Sequence, residues 1–478
     1  MSLSAPNRWA VLGLVCVAQF MVILDATIVN VALPTIERSL HFSPTSLQWI
    51  VNAYTLVFGG FLLLGGRAAD LFGTQRLFIS GLVLFTGASL LNGLATSSGI
   101  LVAGRAAQGL GAALVSPAAL AIVTRTFREG AERTKALGIW SAIAAGGGAA
   151  GLLLGGVLTE TLSWRWIFFI NLPIGIVAGL LALRMISNEV GEEKPETSDV
   201  AGAVTVTGGL LVLVYAIVKA ESYGWGSAKT LGLFAAAIVL LAAFVVIELR
   251  SRAPLIRLDI FRTRSLSTAN AAMLLVASGL FAMFFFASLY TQQLRGYSPI
   301  QAGLAFLPFT FGIVIGAGLA QTGIRRLGVR AVTLTGLSIA TVGMLLFTQL
   351  SLTGSYFGEL FPAVSVTSIG LGLTFVPVTL LATTNVPSED AGLASGLFNT
   401  SQQIGGALGL AILSTLAATR TSHEQSLSQP AALLSGYHLA FLVGAALMVV
   451  AIVLLAALIR KSDVSQIQES DEPLAVAA

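Results

Sequence analysis

Long, uninterrupted apolar stretches run through this sequence, with charge confined to the short segments between them. A helix crosses the hydrocarbon core of a bilayer in about 20 residues, and many of these stretches reach that length. In lipid the backbone must satisfy its own N–H and C=O groups, which leaves helices or closed barrels. A barrel would show alternating segments of about 10 residues, a pattern absent here. Charged residues make up 10% of the chain, against about 25% in soluble domains. The expected fold class is an all-α integral membrane protein.

Fourteen candidate spans lie near 9–33, 46–66, 77–96, 99–123, 136–158, 165–185, 200–218, 229–248, 267–291, 299–320, 330–350, 359–382, 391–416 and 436–459. The first is too long for a cleaved signal peptide and carries a charge, so it reads as an uncleaved helix. An even count puts both termini on one side. With that side cytoplasmic, nineteen Lys/Arg fall in inner segments and six in outer loops, the asymmetry that sets orientation. Trp49, Trp164 and Trp166 sit at outer helix ends, as interfacial aromatics do.

Two charged linkers divide the chain. Residues 186–199 are polar and acidic, and residues 249–266 are basic and partly apolar. The expected organisation is a six-helix bundle over 1–185, a cytoplasmic linker over 186–199, an inserted two-helix hairpin over 200–248, a basic cytoplasmic linker over 249–266, a second six-helix bundle over 267–460, and a cytoplasmic polar tail over 461–478. An internal repeat supports two pseudo-symmetric halves. Phe42-Ser43-Pro44 resembles Tyr297-Ser298-Pro299, Leu71-Phe72-Gly73 resembles Arg326-Leu327-Gly328, and Gly81 matches Gly336, all at an offset of 255 residues. Parallel repeated halves are typical of one large class of secondary transporters.

Of the 22 acidic residues, only Asp25 falls deep within a span, about nine residues, or roughly 13 Å, from the outer end. Arg105 is the only deep basic residue, about six residues, or roughly 9 Å, below the same surface. An intramembrane ionisable residue is a functional candidate by default. The alternative is a permanent ion pair that only holds two helices together. Stability alone is a poor reason to keep such a pair, because replacing both charges is often neutral. Burial favours the neutral acid and a neighbouring guanidinium favours the carboxylate. Access or substrate that shifts this balance would let Asp25 take and release a proton, and a bound organic cation would expel it.

Gln19, Asn30, Asn52, Tyr54, Asn270, Asn399, Gln402 and Gln403 also interrupt apolar helices. Each is a candidate for lining a cavity or for joining helices by hydrogen bonds. The run at 281–286 (FAMFFF) fits an apolar pocket or plain core. Gly146 to Gly148, Gly151, Gly155 and Gly156 would let the fifth span pack closely. No phosphate-binding loop is present, and His41, His423 and His438 lack metal-ligand spacing. Neither ATP nor a metal nor a haem is expected. The single cysteine, Cys16, excludes an intrachain disulfide.

Four stretches resemble the major facilitator superfamily, and within it the fourteen-helix drug:proton antiporter family. They are Leu24-Asp25-Ala26-Thr27-Ile28-Val29-Asn30, the fourth-span stretch Leu101 to Gly111 around Arg105, Trp164-Arg165-Trp166 with Asn171-Leu172-Pro173, and Ala394 to Thr400. The resemblance implies that Asp25 and Arg105 couple protons. It implies a conformational latch in the loop holding Gly66, Asp70, Gly73 and Arg76, with Arg128 as a second partner for Asp70. It also implies an antiporter helix with Gly151, Gly155 and Gly156. Thr74 and Gln75 stand where basic latch residues are expected, and Leu152 stands where that helix usually has proline. A cavity lined by Gln19, Asn30, Asn52, Tyr54, Asn399 and Gln403 is the expected substrate site.

The leading expectation is a proton-coupled multidrug antiporter of the bacterial inner membrane. It would use the proton gradient and no cofactor, act as a monomer, and contact lipid, H⁺ and a lipophilic small molecule but no nucleic acid. With no acid in the thirteenth span, monocations are favoured over dications. The alternatives are a dedicated exporter of one lipid, antibiotic or metabolite on the same scaffold, and a non-transporting scaffold or sensor.

Overall fold

The computed structural model describes residues 7–127, 131–186, 199–251, 254–383, 386, 390–424 and 426–459, and no strand occurs among them. The helices are α1 (Arg8–Leu40), α2 (Pro44–Leu47), α3 (Trp49–Phe72), α4 (Thr74–Gly93), α5 (Ser98–Thr126), α6 (Ala131–Thr161), α7 (Trp166–Phe169), α8 (Asn171–Met185), α9 (Val200–Tyr223), α10 (Ala228–Arg250), α11 (Arg264–Leu289), α12 (Pro299–Ala305), α13 (Leu307–Leu327), α14 (Val329–Phe347), α15 (Phe361–Thr383), α16 (Ala391–His423) and α17 (Gln429–Leu458). Thirteen helical segments among the described residues are long and apolar enough to cross a membrane. The remaining expected span coincides with α6, which is 31 residues long.

Helices overrun the apolar stretches that announce them. The first apolar run ends near Leu33, yet α1 continues through Pro34 to Leu40 and stops at His41, whose φ is 53°. Apolarity marks where lipid begins and ends, whereas helical hydrogen bonding continues into the interface. Arg38 Nε donates to the carbonyl of Pro34 at 3.2 Å and supports this extra turn. At the other end of the chain, α17 begins at Gln429 rather than near 436, so His438 lies inside a helix. Trp166 is exposed, as an interfacial residue would be, but Trp164 is buried and carries the Arg165 guanidinium over its ring.

The chain forms two compact units. The first comprises residues up to Leu213, with Phe234–Leu255 and Ser298–Leu304; the second comprises Val214–Leu233, Ile256–Tyr297 and the described residues from Ala305 onward. In the first unit α5 packs on α3 and α4, and α6 packs on α1. In the second, α15 packs on α13 and α14, and α11 on α16 and α17. The interior of the second unit is aromatic: Phe286 meets Tyr437 and Phe441, and Phe347 stacks on Phe441 at 5.0 Å. Phe285 and Phe286 of the 281–286 run are core residues.

The sequence repeat reappears as backbone geometry. Gly73 joins α3 to α4 with φ 90°, and Gly328 joins α13 to α14 with φ 81°. Both sit in a region where a Cβ is strained, so glycine is required at the same place in each half. Ser43 Oγ accepts from Ser46 N at 3.2 Å, and Ser298 Oγ accepts from Gln301 N at 3.3 Å. Gly81 and Gly336 each lie where an added Cβ would come within 2.9 Å of backbone, at Val115 N and Gly370 O. All these pairs keep the offset of 255.

Candidate functional site

Asp25 and Arg105 meet in the interior of the first unit. Asp25 lies near the middle of α1, and α5 carries Arg105 opposite it. Arg105 Nη1 donates to Asp25 Oδ2 at 2.5 Å, and the two side chains are 1% and 0% exposed. Gln108 Nε2 donates to Asp25 Oδ1 at 2.6 Å, and Asn171 Nδ2, from the first turn of α8, donates to the same oxygen at 2.9 Å. Arg105 is fixed by further bonds to Gln108 Oε1 (2.7 Å) and Ile50 O (3.0 Å). Its guanidinium lies 4.3 Å from the Tyr54 ring centroid, a favourable placement for a desolvated cation.

A second layer of polar groups on α4 holds these in place. Gln108 Nε2 donates to Ser89 Oγ at 2.8 Å, and Asn92 Nδ2 donates to Gln108 Oε1 at 2.8 Å. Ser89 passes its own proton to Phe85 O at 2.8 Å. Gly104 makes room for Asn92, since a Cβ there would lie 2.0 Å from Asn92 Oδ1. All the partners of the Asp25 carboxyl group are donors. A carboxylate has about four lone-pair sites and three of them are taken here, so the arrangement accommodates the ionised form.

The glycines of α6 bring that helix against the same stretch of α1. A Cβ on Gly151 would lie 2.0 Å from Thr27 Oγ1 and 2.9 Å from Leu24 O, and one on Gly155 would lie 2.7 Å from Ile28 O. These contacts flank Asp25 in sequence, so the glycine face of α6 supports the segment that presents the carboxylate. Gly156 faces the other way and abuts Pro299 O, while the carbonyl of Leu152 abuts Gly303.

In the latch loop, Gly66 is in open contact with Pro117 and Arg76 is exposed. Gln75, which replaces a basic residue, donates to Ala182 O at 3.2 Å and ties the start of α4 to α8. The Asp70 side chain and Arg128 lie outside the described residues. Among the candidate cavity residues, Asn52 and Tyr54 are buried; Asn52 Nδ2 bonds Gln48 Oε1 at 3.2 Å, and Tyr54 packs on Arg105. Gln19, Asn30 and Gln403 are half-buried, and Asn399 is exposed with its Nδ2 on Ser395 O. Asn270 joins helices: its Oδ1 accepts from Ser401 Oγ at 2.8 Å, linking α11 to α16.

Sequence reasoning singled out the ion pair but not the groups that hold it. Gln108 and Asn171 lie inside stretches that carry the family resemblance, without a role assigned to them. Ser89 and Asn92, three apart, share one face of α4, but so ordinary a polar pair carries no signal of its own in the sequence. The repeat makes the asymmetry plain. At the offset of 255, Asp25, Tyr54, Ser89, Asn92, Arg105 and Gln108 correspond to Leu280, Phe309, Met344, Phe347, Leu360 and Ala363. Each of these six has an apolar counterpart in the second half.

The fold is that of a polytopic membrane protein, and its family and relatives make it a transporter rather than an enzyme. The Major Facilitator Superfamily profile matches residues 15–410, and the chain belongs to that family. It is 41% identical over 93% of its length to the cephamycin export protein CmcT of Amycolatopsis lactamdurans, covering 91% of that protein. It is 40% identical over 87% of its length to the puromycin resistance protein pur8 of Streptomyces alboniger, covering 83% of it. The multidrug resistance protein Stp of Mycobacterium tuberculosis is 36% identical over 86% of this chain and is covered to 76%. Among solved structures, a bacterial homologue of the human lysosomal transporter Spinster matches with a TM-score of 0.68 at 15% identity, covering 97% of this chain and 99% of that one.

Proposed function

We propose that the protein is a proton-coupled efflux antiporter of the bacterial inner membrane, with both termini cytoplasmic, that exports lipophilic small molecules by alternating access. The observation that carries this reading is the Asp25 carboxyl group: fully buried, bonded only by donors, and paired with Arg105. Burial favours the neutral acid while Arg105 and the amide donors favour the carboxylate, so the proton's residence turns on that balance. When access opens and a donor withdraws, it takes a proton; when the network re-forms, it gives the proton up. Coupling to cargo follows if a bound cation favours the ionised state. The reading needs no cofactor beyond the proton gradient and places the proton step entirely within the first unit.

A second reading, a dedicated exporter of one compound, draws support from the relatives. Cephamycin, puromycin and tetracenomycin C each appear singly in their names, beside one multidrug name. Growth inhibition in an efflux-deficient host, scored across lipophilic monocations, dications and these antibiotic classes, separates the two. Protection against several unrelated monocations supports multidrug export. Protection against one class alone supports the dedicated exporter, and protection against none, with the protein present in the membrane, contradicts both.

A further inference from the structure

At the ends of α14 and α16, beside the first turns of α17, the second unit holds a cleft of about 350 Å³ lined by Thr348, Arg420, Ser435, His438, Leu439 and Leu442. The hydrogen-bonding capacity its polar groups retain is specific. Arg420 donates through Nε to Ser435 Oγ at 3.1 Å and pairs through Nη2 with Glu424 at 2.5 Å. Its Nη1 has no protein acceptor among the described residues. Ser435 Oγ, having accepted, keeps its own proton to donate. His438 Nε2 lies 2.8 Å from the carbonyl of Leu350; a carbonyl only accepts, so Nε2 carries the proton and Nδ1 of the neutral ring is an acceptor. Thr348 gives its proton to Leu345 O at 2.7 Å, accepts from Gln349 Nε2 at 3.3 Å, and offers its remaining lone pair.

The cleft thus presents two donors, on Arg420 and Ser435, beside acceptors on His438 and Thr348, with the carboxylate of Glu424 next to it on Arg420. A phosphate dianion alone would meet repulsion from Glu424. A quaternary ammonium has no N–H to give to the acceptors. A phosphate with a primary ammonium two carbons away satisfies both sets. The apolar side fits a lipid as well. Leu439 and Leu442 follow the polar residues along α17, and the exposed face of that helix continues through Leu442, Val449, Val450 and Val453. That is about 16 Å of lipid-facing stripe below the headgroup.

We propose that this cleft binds the headgroup of a primary-amine glycerophospholipid, with the phosphate on Arg420 and Ser435, the ammonium on His438, Thr348 and Glu424, and an acyl chain along the Leu439–Leu442 stripe. The site lies outside the proton network and does not depend on it. With the N-terminus inside, it opens to the outer leaflet.

Full-length protein in nanodiscs of equal phosphatidylethanolamine, phosphatidylcholine and phosphatidylglycerol tests this by native mass spectrometry of the retained lipid. Phosphatidylethanolamine should be retained over phosphatidylcholine by roughly tenfold, the effect of one net hydrogen bond to a charged group. The preference should fall toward parity in His438→Phe and in Thr348→Val, which take acceptors from the ammonium, the latter exchanging only a hydroxyl for a methyl and so keeping the test valid if the former fails to fold. Equal retention of the three lipids, greater retention of phosphatidylglycerol, or a preference unchanged in Thr348→Val would overturn the proposal. Displacement of the lipid by water-soluble glycerophosphoethanolamine at matched concentration would overturn its assignment to a lipid.

Discussion

Replacing Arg105 by methionine keeps an unbranched side chain and removes the cation paired with Asp25. The variant loses the 2.5 Å bond to Asp25, the 2.7 Å bond to Gln108, the 3.0 Å bond to Ile50 O and the contact with Tyr54. More costly than these losses is what remains: a carboxyl group at 0% exposure with its charge uncompensated. Breaking a buried pair from one side costs about 3–5 kcal/mol. At about 2 °C per kcal/mol for a bundle of some 200 residues, the melting midpoint falls by roughly 6–10 °C. Asp25→Asn strands the cation instead and costs a similar amount. The double variant Asp25→Asn/Arg105→Met removes both charges and should recover most of the loss, since replacing both partners of a buried pair is often neutral. Cys16 supplies the assay: it is the only cysteine and is 4% exposed, so a thiol-reactive dye reports unfolding without engineering. A double variant that melts as low as the two single losses added together would show that the charges are energetically independent, and would refute the coupling.

Three further outcomes follow from the geometry. Gly73→Ala and Gly328→Ala each place a Cβ at positive φ and should each cost about 1–2 kcal/mol, read by the same dye; unequal effects would mean that the two halves do not share this turn. Gly151→Val drives a side chain into Thr27 and the carbonyl of Leu24; transport should be lost even where the protein inserts normally, and full activity would show that α6 does not need its close seat on α1. Gln108→Leu removes a donor to Asp25 and a second partner of Arg105; gradient-driven transport should fall at least tenfold while Ser401→Ala, which removes only the link to Asn270, leaves it nearly unchanged.

The membrane fold was legible because lipid imposes it: a helix-length apolar run has no other stable form there. The ion pair was legible for the same reason, since Asp25 and Arg105 are the two charges that the hydrophobic pattern cannot accommodate. Depth along each helix placed them at one level, but nothing in the sequence gave the rotation of α1 against α5 that brings them to 2.5 Å. Gln108, Asn171, Ser89 and Asn92 escaped notice because an uncharged polar residue in a membrane helix commonly bonds its own backbone. Ser414 and Thr415 do so here, donating to Leu410 O and Ala411 O. Whether such a residue joins a network depends on packing, and that begins with residues such as Gly104 and Gly151, whose missing side chains admit Asn92 and Thr27. Helix ends were misplaced for a related reason: α1 and α17 extend past the lipid boundary that hydropathy reports.

Proton movement through Asp25 is open to direct measurement. Purified wild type and Asp25→Asn would be reconstituted in liposomes carrying a pH-sensitive dye, with an imposed gradient of a lipophilic monocation and no initial pH difference. If Asp25 carries the proton, cargo flux through the wild type drives counter-movement of protons, and the variant moves none while remaining folded. Proton counterflow of equal size in both would show that Asp25 is a structural anchor and that coupling resides elsewhere in the chain.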